Sequence, residues 1–348
     1  MTDLILALDQ GTTSSRSILF TEKAEIRAVA SEPLECRYPD SGWVEQDAEA
    51  IWETQRSTIV KVLDQAGIGL SEVSAIGITN QRESTIAWNR ETGEALCPAI
   101  NWQCRRTAGF CDELKEEGFD ELIRNRTGLV TDPYFSGTKM HWILQNVPEA
   151  ANLARQGKLC FGTVDSWLIW KLSGGTTHAI EISNASRTLV FDIQKCEWDS
   201  EILSRFGIPP ESLPEVVPSS GVIAEVDESL FGGSAPIAGA AGDQQAALFG
   251  QACFSPGMAK NTYGTGCFMI SNTGKHLIRS QNGLLTTIGW KLGDEVTYAL
   301  EGSVFIAGAL VQWLRDGLEL FKDAAETESM ALSVPDSGGV FVVPAFVG

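Results

Sequence analysis

The sequence predicts an α/β fold built as two domains, and three observations carry that prediction. At 348 residues the chain is long enough to bury a large core and divides more naturally into two units than one. Leu4 to Phe20 (LILALDQGTTSSRSILF) sets two apolar runs around one polar turn, the composition of a β-hairpin. Ala259 to Ile270 (AKNTYGTGCFMI) repeats the plan, with Gly264-Thr265 aligning on Gly11-Thr12. That separation is far too long for a solenoid repeat and suits a second domain.

The two turns share a chemistry. Gly11 admits a close backbone approach, Thr12, Thr13 and Ser14 offer N–H and O–H donors, and Arg16 adds a fork of N–H donors, a set suited to phosphate oxygens. Asp9 could hold Mg²⁺ directly or through water. The plainer alternative is a surface hairpin with ordinary Ser/Thr turn chemistry. Two such hairpins facing one another would grip a nucleotide's phosphates from both sides, the architecture of the actin and hexokinase type. Neither is a Walker loop, because no Gly-x4-Gly-Lys-Ser/Thr occurs, and the second lacks the third glycine of a dinucleotide fingerprint.

Composition removes several classes. A formal charge of −19 argues against a nucleic-acid or anionic-membrane surface, so an anionic substrate needs local cations or a metal. Eight cysteines without a Cys-x-x-Cys pair suggest neither a zinc site nor a disulfide framework and fit a reducing cytoplasm. His141, His178 and His276 lack metal-ligand spacing and are expected to be structural or surface residues. With no basic leader and no apolar run of about 18 residues, neither secretion nor a membrane span is expected.

Taken in order, Asp47 is the expected N-cap of a helix over 48–66 that Gly67 and Gly69 end. Val73 to Thr79 reads as a buried strand entering the polar loop Asn80-Gln81-Arg82-Glu83, with a further strand at 85–88. Ligand sites gather at such strand ends, so Arg82 and Glu83 are placed to hold a small polar ligand, or else form a surface ion pair. Trp102 falls where a strand is expected to pass into a helix beginning at Gln103, as core or as the apolar wall of a site. Asp132 to Lys139, with Tyr134, is expected as a turn before a helix over 140–145, and Asp165 as the cap of a helix over 166–172. Prolines, glycines and acids between 209 and 236 suggest loops. Ile237 to Gly242 is then a small-residue strand, and Asp243 opens a helix either as an N-cap or as a base for a hydroxyl attacking a phosphate. Strands are expected at 284–288 and 295–300, an apolar helix at 302–314, and a final strand at 338–348.

The segments ALDQGTTSSR, GITNQRE, NWQCRR, DPYFSGTK, GTVDSWLIWKL, NASRT, GDQQAALFGQ, KNTYGTGCF and VVPAF resemble, in order, those of the FGGY carbohydrate kinase family. The resemblance runs from Leu6 to Gly348 and implies ribonuclease H-like duplicated domains around a nucleotide cleft, one at 1–250 and a partial second at 251–348. It implies ATP-dependent phosphorylation of glycerol to sn-glycerol 3-phosphate in glycerol catabolism. Arg82, Glu83, Tyr134, Asp243 and Gln244 would bind the hydroxyls, and Trp102 and Phe268 would enclose the carbons. It further implies nucleotide contacts from Thr12, Thr13, Ser14, Arg16, Thr265, Gly308 and Gln312, Mg²⁺ near Asp9 and Asp243, and Asp243 as general base. A homo-oligomer is expected of the full-length protein. Family members continue past the Pro-Ala-Phe-x-Gly segment, so a C-terminal truncation is also expected. The alternatives are a non-catalytic glycerol-binding fragment and a kinase for another polyol or sugar. Ile180-Glu181 stands where the family usually has Thr-Asp, and Phe231 to Ala235 lacks the arginine of an allosteric sugar-bisphosphate loop.

Overall fold

Leu4–Gln10 (β1) alternates buried and open positions, as a strand covered on one face must, and Ser14–Thr21 (β2) returns antiparallel beside it with Leu8 opposite Ser17. In the computed structural model, which describes residues 3–344, this hairpin is extended by Ile26–Pro33 (β3) and covered by Ala48–Ala66 (α1). Asp47 caps α1 by accepting from the backbone N–H groups of Glu49 and Ala50, and Gly67 ends it at φ 66°. Hydroxyl pairs seat the helix on the hairpin: Ser17 meets Thr58 at 2.8 Å, and Ser15 meets Thr54 at 2.6 Å.

The rest of the central sheet comes from Ala75–Asn80 (β4), Ser220–Glu225 (β5), Pro236–Gly242 (β6), Ala259–Tyr263 (β7), Cys267–Gly274 (β8), Leu285–Leu292 (β9) and Glu295–Val304 (β10). Ten strands run in the order β7-β8-β10-β9-β5-β6-β4-β1-β2-β3, so both hairpins belong to one mixed sheet. β1, β4 and β6 are mutually parallel at its centre, with Asp9 and Ala241 both in register with Thr79. Their polar ends therefore emerge together at one edge. One core lies against this parallel centre, where Trp88 meets Trp167 edge-on at 5.3 Å, and a second surrounds Phe135, Phe161 and Phe206.

Several boundaries differ from expectation for local reasons. Residues 103–107 form turns, because Asn101 accepts from the backbone N–H of Gln103 at 2.9 Å and so competes with helix; the helix starts at Ala108. Ser136–Asn146 (α2) begins four residues early, after an Asp132 turn onto the N–H of Tyr134. Asp165 is no cap: it lies inside Val164–Leu172 (α3), buried, accepting from Thr163 and from the N–H of Glu181 at 3.0 Å. The segment 209–236 is structured, since it holds β5. The expected helix at 302–314 splits, because Gly302 pairs with Met269 and Val304 with Cys267 in the sheet; only Gly308–Asp316 (α5) is helical, and none of it is buried. Residues 338–344 form no strand, and 345–348 lie outside the described residues.

Candidate active site

The loop that leaves β4 turns sharply at Glu83, whose φ of 61° is left-handed for a residue with a Cβ. Its carbonyl is held there by the Ser136 hydroxyl at 3.1 Å and the Lys139 ammonium at 3.0 Å. A strained residue fixed by two donors indicates a preformed site. Beside it, Asp243–Gly250 (α4) starts at the end of β6. Gly242, not Asp243, is the N-cap; Asp243 is the first helical residue, with Oδ1 accepting from the N–H of Gln244 at 2.8 Å. An added Cβ at Gly242 would lie 2.7 Å from Cδ of Arg82, so this glycine is what lets the arginine pass.

A cavity of about 390 Å³ opens between these elements. Arg82, Glu83, Asp243 and Gln244 line its floor, and Trp102, Tyr134 and Phe268 its walls. Thr12 and Thr13 reach it from the first turn, Thr265 from the second, and Gln312 from α5. Four residues expected here do not line it. Ser14 closes the first turn by accepting from the N–H of Gly11 at 2.9 Å, while Asp9 and Arg16 pair at 3.9 Å on the open side. Gly308 donates its N–H to Gly264 at 2.9 Å, and a Cβ there would come within 2.5 Å of that carbonyl oxygen.

The walls are edge-on aromatics: Trp102 lies 5.8 Å from Tyr134 and 6.1 Å from Phe268, centroid to centroid. The Trp102 indole N–H donates to the Thr12 hydroxyl at 2.9 Å, which leaves that hydroxyl's own proton free to donate. At the floor, Arg82 Nε faces Asp243 at 3.3 Å, and Arg82 Nη2 donates to the Tyr134 hydroxyl at 3.4 Å. Gln244 is occupied at both ends, its amide N–H going to Asp243 at 3.1 Å and its carbonyl accepting from Lys260.

Sequence reasoning missed the residues beneath this floor. Arg187 donates to Glu83 at 2.6 Å and to Glu301 at 3.0 Å, while Glu301 also accepts two bonds from Arg82. All four side chains are essentially sealed from solvent. Breaking one partner out of such a buried set costs about 3–5 kcal/mol. Arg187 had a signal, since it sits in the Asn184-Ala185-Ser186-Arg187-Thr188 segment, but Glu301 had none. Lys260, which donates to Gln244, was likewise missed, as was Phe305, whose ring packs 5.2 Å from Tyr134 behind the wall.

Environment sets the charges. Burial raises the Asp243 carboxyl above its ordinary value, with Arg82 and Gln244 pulling it partly back. Burial also raises Glu83 against the pull of Arg82 and Arg187. Glu301 goes the other way: burial opposes its charge, but Arg187 and Arg82 outweigh it and hold the carboxyl down at about 2. Burial, then Arg82, lowers Lys260 to about 8.

Asp9 and Asp243 leave parallel strands at one sheet edge, and each carboxylate stays partly open, at 40% and 39% exposure. Among the described residues no three His, Cys, Asp or Glu side chains cluster as a metal cage. Carboxylate oxygens of this kind are donors that Mg²⁺ accepts beside water and phosphate oxygens.

Residues 4–250 match the N-terminal domain of the FGGY family of carbohydrate kinases, and residues 259–348 match its C-terminal domain. The chain belongs to the FGGY family of carbohydrate kinases. This FGGY kinase is 59% identical over 344 residues to a glycerol kinase of Symbiobacterium thermophilum, a match covering 99% of this chain and 69% of that protein. It is 57% identical over 345 residues to a glycerol kinase of Carboxydothermus hydrogenoformans, with the same coverage. A solved Plasmodium falciparum glycerol kinase with ADP superposes at a TM-score of 0.89 and 35% identity, over 99% of this chain and 69% of that one. The actin- and hexokinase-like α/β fold is thus that of the FGGY kinases. No helix among the described residues is long and apolar enough to cross a membrane.

Proposed function

We propose that this FGGY kinase transfers the γ-phosphoryl group of ATP to glycerol, giving sn-glycerol 3-phosphate. The observation that carries the reading is the cavity floor, where Arg82, Glu83 and Asp243 converge beneath three aromatic edges. A site that pairs every hydroxyl of a three-carbon substrate rejects analogues lacking one, because its own buried polar groups would be left unpaired. The naming of the 57–59% identical relatives supports glycerol over a larger sugar.

In this reading Arg82, Glu83, Tyr134 and Gln244 orient the hydroxyls, while Trp102 and Phe268 enclose the carbons and exclude water. Asp243, partly accessible, takes the proton from the attacking hydroxyl when it is present as its carboxylate. Donors from the two turns, Thr12, Thr13 and Thr265, steady the phosphate oxygens, with Arg16, Gly308 and Gln312 alongside. Mg²⁺ held near Asp9 and Asp243 would supply neutralisation of phosphate charge when bound. Because the base works as its carboxylate and burial raises its pKa, activity falls on the acid side at a pH above the ordinary aspartate value of 3.8.

The test is ADP release from ATP and Mg²⁺ by the 348-residue chain, with and without glycerol. Glycerol-dependent release supports the reading. Release indifferent to glycerol, or a larger kcat/KM with a pentose, overturns it.

A further inference from the structure

We propose that Glu301 is a positioning residue, which fixes the glycerol-facing Arg82 and Glu83 from the far half of the molecule. The inference rests on reading the cavity as the glycerol site. Glu301 comes from β10, in the stretch matching the family's C-terminal domain, whereas Arg82, Glu83 and Arg187 lie in the N-terminal one. Neither Glu301 nor Arg187 lines the cavity, so any influence on ligand must pass through their partners.

The geometry suits that task. Glu301 Oε2 accepts from Arg82 Nη1 at 2.5 Å and Oε1 accepts from Nη2 at 2.9 Å, a two-pronged grip that sets the plane of the guanidinium. With that end clamped, Arg82 Nε is left facing Asp243 at 3.3 Å, and Nη2 still reaches the Tyr134 hydroxyl. Oε1 of Glu301 also accepts from Arg187 Nη2 at 3.0 Å, and Arg187 Nε runs on to Glu83 Oε1 at 2.6 Å. The remaining Nη1 of Arg187 has no hydrogen bond, and its guanidinium lies 5.2 Å from the Phe135 ring centroid, within range of a cation–π contact. One carboxylate thus orients both walls of the floor. Without its charge, Arg82 would be drawn toward Asp243 and Glu83, the groups meant for substrate.

The test is equilibrium dialysis of labelled glycerol against the 348-residue chain and its variants, each first shown by its melting profile to be folded at the assay temperature. Glu301→Gln keeps the shape and removes the charge, and is expected to weaken glycerol by about 10- to 100-fold, the usual penalty of a misplaced binding group. Glu301→Asp keeps the charge on a shorter arm and should recover part of that loss. A role in packing alone predicts the reverse order, with Gln tolerated and Asp worse, and that result overturns the proposal. Should Glu301→Gln not fold, Ser303→Ala carries the test. It deletes only the 3.1 Å hydroxyl bond to Glu301 Oε1 and should weaken glycerol by about threefold; unchanged affinity there overturns the proposal. If the unaltered chain binds no glycerol, the reading of the cavity itself falls. If it binds and Glu301→Gln binds within about twofold of it, only the role of Glu301 falls.

Discussion

The floor and the rim of the cavity are built in opposite ways. Arg82, Glu83, Arg187 and Glu301 make a sealed floor in which each charge meets an opposite one and a backbone turn is held in strain. The rim consists of two hairpin turns. The first lies between interior strands under α1, but the second hangs from an edge strand, where Tyr263 is 79% exposed and Met269 52%. The floor is organised before any ligand arrives, as selection of a small polyol requires. The second turn, on that exposed edge, is suited to closing on phosphate.

The largest expected effect lies where the two meet. Asp243→Asn should cut turnover by about 10²- to 10⁴-fold while glycerol still binds, since the amide keeps the hydrogen-bonding shape but cannot take the proton. Unchanged turnover in a single-turnover assay would remove the base from the boundary between floor and rim.

A matched pair of glycine substitutions separates the two parts directly. In Gly242→Ala the new Cβ would stand 2.7 Å from Arg82 and 2.9 Å from Gln245, so it disturbs the floor. In Gly308→Ala the new Cβ would stand 2.5 Å from the Gly264 carbonyl oxygen, so it pushes the second turn. Gly242→Ala should raise the glycerol KM about tenfold with ATP little affected, and Gly308→Ala should do the opposite, each being overpacking of about 1–3 kcal/mol. Parallel shifts of both constants in both variants would erase the distinction.

The smallest effect concerns Glu181, beneath the floor. It accepts from the hydroxyls of Ser183 and Ser219, each at 2.5 Å, and the Ser183 hydroxyl in turn accepts from the N–H of Gly242. Burial, against these hydrogen bonds, raises its carboxyl from 4.5 to about 7. A folded value above the unfolded one means its contribution to stability is complete below 4.5 and is lost as pH rises through about 7. Glu181→Gln should therefore flatten the fall in Tm between pH 5 and 8, with about 1 kcal/mol regained at the upper end. An unchanged Tm profile would mean that Glu181 is already ionised in the fold.

How much of this could be read beforehand depends on range in sequence. Both hairpins, α1 with its Asp47 cap and Gly67 stop, and the strand running into Asp243 are local patterns, and each lies where its residues indicated. Errors came where a distant partner decides: Val304 left the expected helix because Cys267 pairs with it, and Asp165 became a buried tie to Glu181 in place of a cap. The sequence alone determined which residues carry donors, carboxylates and aromatic edges, since these are properties of side-chain type and turn composition. Tertiary structure alone decided that Glu301 would reach back to Arg82, and that Lys260 would reach Gln244. A single charge in an alternating strand has no periodicity to betray its partner, and only closure of the sheet brings the two together.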